Sequence, residues 1–428
     1  MGSLLLLASA AGAAINFTPG VALQTPTRPT GAAIADFNRD GRMDLAVTSD
    51  TPDKISIFYG NGDGTFGAPQ IIQTGSGTGP ESIVAADIEG DGDMDLVVTL
   101  HNANTVRAYV NNGAGVFTVG SSVATGANPR GVIAADLDGD SDPDFAVANR
   151  DGNSVTVIRN NAGVLALGVT MATGGLEPRG VAAGDFNRDG RMDLAVTNHD
   201  SRSVTILSGS GNFAFALTAT LPVLTSSRPD GVAAADLDGD GDVDLAVAIS
   251  DQPAVNVVGI YTNNGGSFSG PTPFNTGGLN PSHVLITDFD LDGKPDIAVA
   301  NEDSGNISVF QNTSAGGAIS LGAAMVFATG AHPEQFAAGD LDGNRTPDLA
   351  VPNRDANTTS ILINGTTPPP PACPADFNHN GILNSQDFFD FITALFASDP
   401  SADFNGNGIV NSQDFFDFVT AFFAGCPR

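Results

Sequence analysis

Apolar residues in this chain come in short runs, set apart by turns rich in Asp, Gly, Asn and Pro, and the order of the runs repeats. Residues 82–86 (SIVAA) lead into an acidic stretch and 96–99 (LVVT) leave it. Residues 105–110 (TVRAYV) alternate with a period of two, and 116–119 (VFTV) follow a Gly-rich turn. Each run has the length and patterning of a short strand. Four such strands recur in seven copies, marked by an approximate phrase D-x-(D/N/E)-x-(D/N)-G-x-x-D-(L/I)-A-V. Its first aspartates are Asp36, Asp87, Asp136, Asp185, Asp236, Asp288 and Asp340, spaced by 51, 49, 49, 51, 52 and 52 residues. Four strands in about 50 residues is the pattern of a propeller blade. The expected fold is an all-β seven-bladed β-propeller over residues 15–365. The seventh copy stops at Ile363-Asn364 without a fourth strand, while an orphan strand at 15–25 precedes the first copy. That N-terminal strand is expected to complete blade seven and shut the ring, which removes most exposed sheet edges. An open array of seven units is the alternative.

The acidic stretch carries oxygen-bearing side chains at loop positions 1, 3, 5 and 9. The sets are Asp36, Asn38, Asp40 and Asp44; Asp87, Glu89, Asp91 and Asp95; Asp136, Asp138, Asp140 and Asp144; and Asp185, Asn187, Asp189 and Asp193. Then follow Asp236, Asp238, Asp240 and Asp244; Asp288, Asp290, Asp292 and Asp296; and Asp340, Asp342, Asn344 and Asp348. Oxygens alternating along a tight turn converge on one hard cation, and calcium takes six to eight of them. Magnesium, which holds on to its waters, fits an all-protein cage less well. A glycine at position 6 permits the positive φ that wraps such a loop. Ser141 and Arg345 replace it in copies three and seven, and copy seven also has Asn344, so its site is expected to be the weakest. These units resemble FG-GAP/VCBS repeats, the propeller repeats also found in integrin α-subunit heads. The resemblance covers residues 15–365 and implies up to seven Ca²⁺ on one face of the disc, in a protein that binds or adheres rather than catalyses.

After a Pro-rich linker at 366–372, a second repeat occupies residues 373–428. Two 12-residue loops, 376–387 and 403–414, each precede an apolar helix. They place Asp376, Asn378, Asn380 and Asp387, then Asp403, Asn405, Asn407 and Asp414, at EF-hand-like positions. Each loop brings only two carboxylates, which points to two weak Ca²⁺ sites. The tandem pair resembles a dockerin module, and that resemblance implies a cohesin-like or surface partner. Ser385-Gln386 and Ser412-Gln413 stand at the family's recognition positions. Phe388, Phe391, Ile392 and Leu395 form one stripe, the expected core between two helices. Phe389 and Phe396 fall outside it and suggest an apolar docking patch. Cys373 and Cys426 bracket the module, where a disulfide would help a very small core.

Charge narrows the partners. The chain has 48 acidic and 17 basic side chains, a net charge of −31. That excludes nucleic acid, which needs a basic patch, and argues against an anionic membrane surface. More than half of these acids lie in the metal-type loops. Residues 1–14, with the run LLLLASAAGAA, look like a secretory signal and are too short to span a bilayer. Secretion, to the extracellular space or cell surface, is therefore expected. No nucleophile elbow, phosphate loop or zinc signature is present, and the five histidines are scattered. His101 and His199 share one turn position and read as turn residues. A ligand site is easier to place: a Pro enters every innermost strand, followed by Thr30, Glu81, Arg130, Arg179, Asp230, Ser282 and Glu334. In a closed ring these residues surround the mouth of the central channel. The expected function is extracellular recognition, adhesion or scaffolding of a protein or glycan ligand. The alternatives are a polysaccharide-active enzyme and a structural subunit of a filament or coat.

Overall fold

The computed structural model describes residues 14–251, 254–366, 375, 377, 383–397, 402, 404 and 410–424. The signal-like residues 1–13, the linker residues 367–372 and both cysteines lie outside the described residues. The chain divides into two compact units, a propeller and a C-terminal pair of helices.

The propeller consists of seven four-stranded antiparallel sheets. Blade two is representative, with strands Pro80–Ala86, Asp95–Leu100, Thr105–Val110 and Thr118–Ala124 from the axis outward. The second strand of each blade has its first six residues buried, because neighbouring blades cover both of its faces. Fourth strands alternate partly buried and exposed positions, as a rim strand should. In blade two the fourth strand starts at Thr118, later than the apolar run suggests. The Asn112 side chain accepts the N–H groups of Ala114 and Val116 at 3.0 and 3.2 Å and keeps that stretch in the turn.

Two repeated contacts lock one blade to the next. A large apolar residue at loop position 2 is buried in every blade: Phe37, Ile88, Leu137, Phe186, Leu237, Phe289 and Leu341. Phe37 and Phe186 meet Phe117 and Phe268 of the following blade edge-on, with centroids 5.6 and 5.5 Å apart. The backbone carbonyl at the same position is buried with them and needs a donor. Asn111 supplies it for Phe37 at 2.7 Å, Asn160 for Ile88 at 2.9 Å and Asn263 for Phe186 at 2.8 Å. Asn312 and Asn364 do the same for Leu237 and Phe289.

The seventh blade is assembled from both ends of the propeller. Phe17–Gln24 pairs antiparallel with Thr358–Asn364, outside Asp348–Asn353 and the short inner strand Ala337–Gly339. Phe17 then packs edge-on against Phe289 at 5.4 Å, repeating the contact made between earlier blades. Blade seven meets blade one through Ala32, Leu45, Val47 and Phe58 against Leu341, Ala350 and Ile361. The Ala32 N–H also donates to the Gln335 carbonyl at 3.1 Å. The ring is therefore closed.

In the second unit, α1 (Ser385–Ala397) and α2 (Ser412–Ala424) are near copies. Phe391 and Phe418 stack at 3.9 Å in a core with Ala375 and Ala402. Both helices begin with a capping box. Asn384 Oδ1 accepts the Gln386 N–H, and the buried Asp387 carboxylate reaches back to the Asn384 N–H at 2.9 Å. Asn411, Gln413 and Asp414 repeat the arrangement. Among the described residues no helix is long and apolar enough to cross a membrane.

Candidate functional site

The innermost strands run from a charged mouth at their N-terminal ends to the acidic loops at their C-terminal ends. A seven-residue strand such as Pro29–Ala35 separates the two by about 20 Å.

At the loop end, backbone N–H groups aim the side chains. In blade one Asp36 accepts the N–H groups of Asp40 and Gly41 at 3.1 and 2.8 Å, and Asp40 accepts that of Arg42 at 2.9 Å. Asn38 adds a bond from the Asp40 N–H. In blade six the Gly293 and Asp292 N–H groups donate to Asp288 and Asp290. Position 6 has positive φ throughout, including Ser141 at 75° and Arg345 at 78°. Position 4 is also left-handed, and is occupied by Arg39, Arg188 and Leu291 as well as by glycine.

The position-9 aspartates are buried, and both carboxylate oxygens are engaged. Asp44 Oδ2 accepts the Phe37 N–H at 3.0 Å and Oδ1 accepts that of Gly60 at 2.8 Å. The same pair of bonds recurs at Asp95, Asp144, Asp193, Asp244, Asp296 and Asp348. Burial, against those bonds, pushes Asp44, Asp95, Asp144 and Asp244 up to about 6 and Asp348 up to about 7. Neighbouring loop carboxylates push the same way. Ligand oxygens of Asp136, Asp138 and Asp144, and of Asp236, Asp238 and Asp244, lie within 4.8 Å of one another. Each is an oxygen donor, so the set fits a hard cation. Blade seven departs from this. Asn344 turns its amide to Asp342 and to the Asn364 carbonyl, while its oxygen accepts from Thr346. In the C-terminal unit Asp387 and Asp414 are buried at helix starts. Asp376, Asn378, Asn380, Asp403, Asn405 and Asn407 lie outside the described residues.

At the other end, Thr30, Glu81, Arg130, Arg179, Asp230, Ser282 and Glu334 all line one cavity of about 920 Å³ along the axis. Below them the walls are small and apolar, from Ala33, Ala85, Val132 and Val181 to Leu285 and Phe336. The inner strands crowd together there: a Cβ on Gly31 would stand 2.8 Å from the Glu81 carbonyl, and one on Gly231 2.5 Å from that of Ser282. The mouth carries ion pairs, most of them between neighbouring blades and one, Arg354 with Glu334, within blade seven. Arg130 contacts Glu81, Arg179 reaches Asp230 at 2.6 Å, and Arg354 holds Glu334 at 3.1 Å. Arg150 contacts Glu177, which also lies 3.1 Å from His199 Nδ1 and 3.6 Å from Arg179. Burial alone would raise Glu177, but these cations hold it down at about 2. Glu302 is pushed up to about 7 by burial and by Asp230, and Glu334 goes well above the usual carboxylate range for the same kind of reason. His283 is partly buried in the wall, edge-on to Phe336 at 5.0 Å, and desolvation lowers its imidazole to about 4.

Sequence reasoning missed Arg150, Glu302 and Arg354, which follow the second strand of their blades and line the same cavity. It also missed Glu177 and His332, which precede the entry prolines. The signal was one column of the repeat, Asp50, His101, Arg150, His199, Ser250, Glu302 and Arg354, whose members read singly as turn residues.

An FG-GAP-like repeat model matches residues 36–98, 90–147, 136–196, 185–247 and 288–351, more than half of the chain. Among curated proteins none matches. Similar solved structures include BBS1N in complex with ARL6DN, 13% identical over 81% of this chain and 98% of that one, with a TM-score of 0.56. A protein from Lactobacillus plantarum is 16% identical over 71% and 86%, with a TM-score of 0.54. Virginiamycin B lyase from Staphylococcus aureus is 14% identical over 81% and 99%, with a TM-score of 0.53. At such identities these likenesses concern the fold alone.

Proposed function

The chain belongs to the FG-GAP-like repeat family, and from that premise we propose that it is a secreted, calcium-loaded propeller that recognises an extracellular protein or glycan at its channel mouth. The observation that carries this reading is the mouth itself: five kinds of side chain, at seven copies of one repeated backbone position, stand around a single cavity. Polar variation at the mouth, above walls that stay mostly apolar, is how a scaffold diversifies binding. The work of the site is binding rather than catalysis.

Calcium is the cation that the loop donors suit. Residues 1, 3, 5 and 9 of each propeller loop would hold it, with blade seven weakest because Asn344 is committed elsewhere. Bound calcium would neutralise buried carboxylates such as Asp44 and Asp244 and stabilise the folded ring. The C-terminal helices, with Phe389 and Phe396 exposed in α1 and Phe416 and Phe423 at the same positions of α2, suit attachment to a surface or assembly. A dockerin-like role, with Ca²⁺ at Asp376–Asp387 and Asp403–Asp414 and a Cys373–Cys426 disulfide, belongs to the same proposal.

The test is a glycan and protein array probed with the calcium-loaded chain, the chelated chain and the double variant Arg130→Ala/Arg179→Ala. The expected result is a ligand lost by the double variant, together with a melting temperature lowered by chelator. Unchanged ligand binding by the double variant sinks the mouth, and an unchanged melting curve in chelator sinks calcium.

A further inference from the structure

Ion pairing around the mouth leaves one carboxylate aside. The cavity is lined by the carboxylates of Glu81, Asp230, Glu302 and Glu334 and by the guanidinium groups of Arg130, Arg150, Arg179 and Arg354, with Glu177 beside Arg150. Each of these arginines contacts Glu81, Glu177, Asp230 or Glu334, and Arg179 contacts two of them. Among the described residues no arginine is in ion-pair contact with Glu302. It lies instead across from His332, whose Nε2 is 3.5 Å from Glu302 Oε2 and 3.5 Å from Glu334 Oε1. One ligand atom from each of the three residues falls within 4.8 Å of the others.

We propose that Glu302, His332 and Glu334 form a transition-metal site at the junction of blades six and seven, separate from the acidic loops and at the opposite end of the inner strands. One imidazole with two carboxylates suits Zn²⁺ or a similar divalent ion, whereas the loops offer oxygen alone. Neighbouring polar groups position all three side chains. Asn280 Nδ2 donates to Glu302 Oε2 at 2.9 Å, Arg354 lies 3.1 Å from Glu334 Oε1, and Asp355 stands 4.0 Å from His332 Nδ1, the ring nitrogen that does not face the two glutamates. The site is also reachable. Glu302 and His332 line both the axial cavity and a second one of about 490 Å³, which opens beside Asp303, Gly330 and Asp355. The comparable group in blade four, Glu177, His199 and Asp200, differs in charge: Glu177 faces two arginines, Arg150 and Arg179, whereas Glu302 and Glu334 share contact with Arg354 alone, through Glu334.

The experiment uses the full chain saturated with calcium, so that the loops are filled, and titrated with Co²⁺ and Zn²⁺. Wild type is expected to bind one equivalent of Co²⁺ with a visible absorption band, displaced by Zn²⁺. His332→Asn and Glu302→Gln should each weaken that binding at least about tenfold. Co²⁺ uptake that is absent, or equal in wild type and His332→Asn, overturns the proposal. Because either variant could fold poorly, the unmodified protein gives a second reading: crystals soaked in Zn²⁺ should show an anomalous peak bonded to His332 Nε2. A zinc-soaked crystal without that peak overturns the proposal as well.

Discussion

Glu177 shows how much of the mouth depends on single side chains. Its carboxylate is held by Arg150, lies 3.6 Å from Arg179 and meets His199 at 3.1 Å. In the unfolded chain it titrates near 4.5; in the fold it stays ionised down to about 2. A carboxylate with a lowered folded value contributes stability that is complete above the unfolded value and lost as the pH falls through the folded one. The stability due to Glu177 should therefore be whole above pH 4.5 and fade between there and about 2. Glu177→Gln should cost about 1.5–3 kcal/mol at neutral pH, the range for hydrogen bonds to charged groups. It should also flatten the acid limb of the profile. Urea unfolding of both proteins at pH 7 and pH 3 checks this, and an equal loss of stability in the two on acidification would contradict it.

At the scale of the loop and the strand, the left-handed turn at position 6 sets a backbone demand that side chains other than glycine meet at a cost. Ser141 meets it at φ 75°. Ser141→Gly should stabilise the protein by about 0.5–1 kcal/mol, the αL penalty less the extra chain entropy of glycine. A melting temperature that fails to rise would show that the serine compensates. The repeat made these loops and the seven-bladed fold legible, since each strand carries its own period and each turn its own Gly, Asp or Pro. The entry prolines made the column from Thr30 to Glu334 legible for the same reason. What was not legible lies between copies. Glu177 of blade four meets Arg150 of blade three, and His332 of blade seven meets Glu302 of blade six. A pattern read within one repeat says nothing of the side chain that the neighbouring repeat will bring against it. The start of the fourth strand in blade two was missed differently: one asparagine side chain, Asn112, outbids an apolar run for the backbone.

Across the whole molecule, the N-terminal strand is the part on which closure rests. Removing residues 14–24 would strip Thr358–Asn364 of its partner, uncover Phe289 and leave an unpaired edge. The truncated chain should melt at a lower temperature and self-associate, as calorimetry and size-exclusion chromatography would show. A truncated protein that stays monomeric with an unchanged melting temperature would mean that the ring is held elsewhere. Closure also has a consequence in time. Phe17–Gln24 leaves the ribosome among the first residues of the propeller, and its partner Thr358–Asn364 among the last. For most of synthesis the opening strand has nothing to pair with, and six complete blades must wait, unsealed, for the seventh.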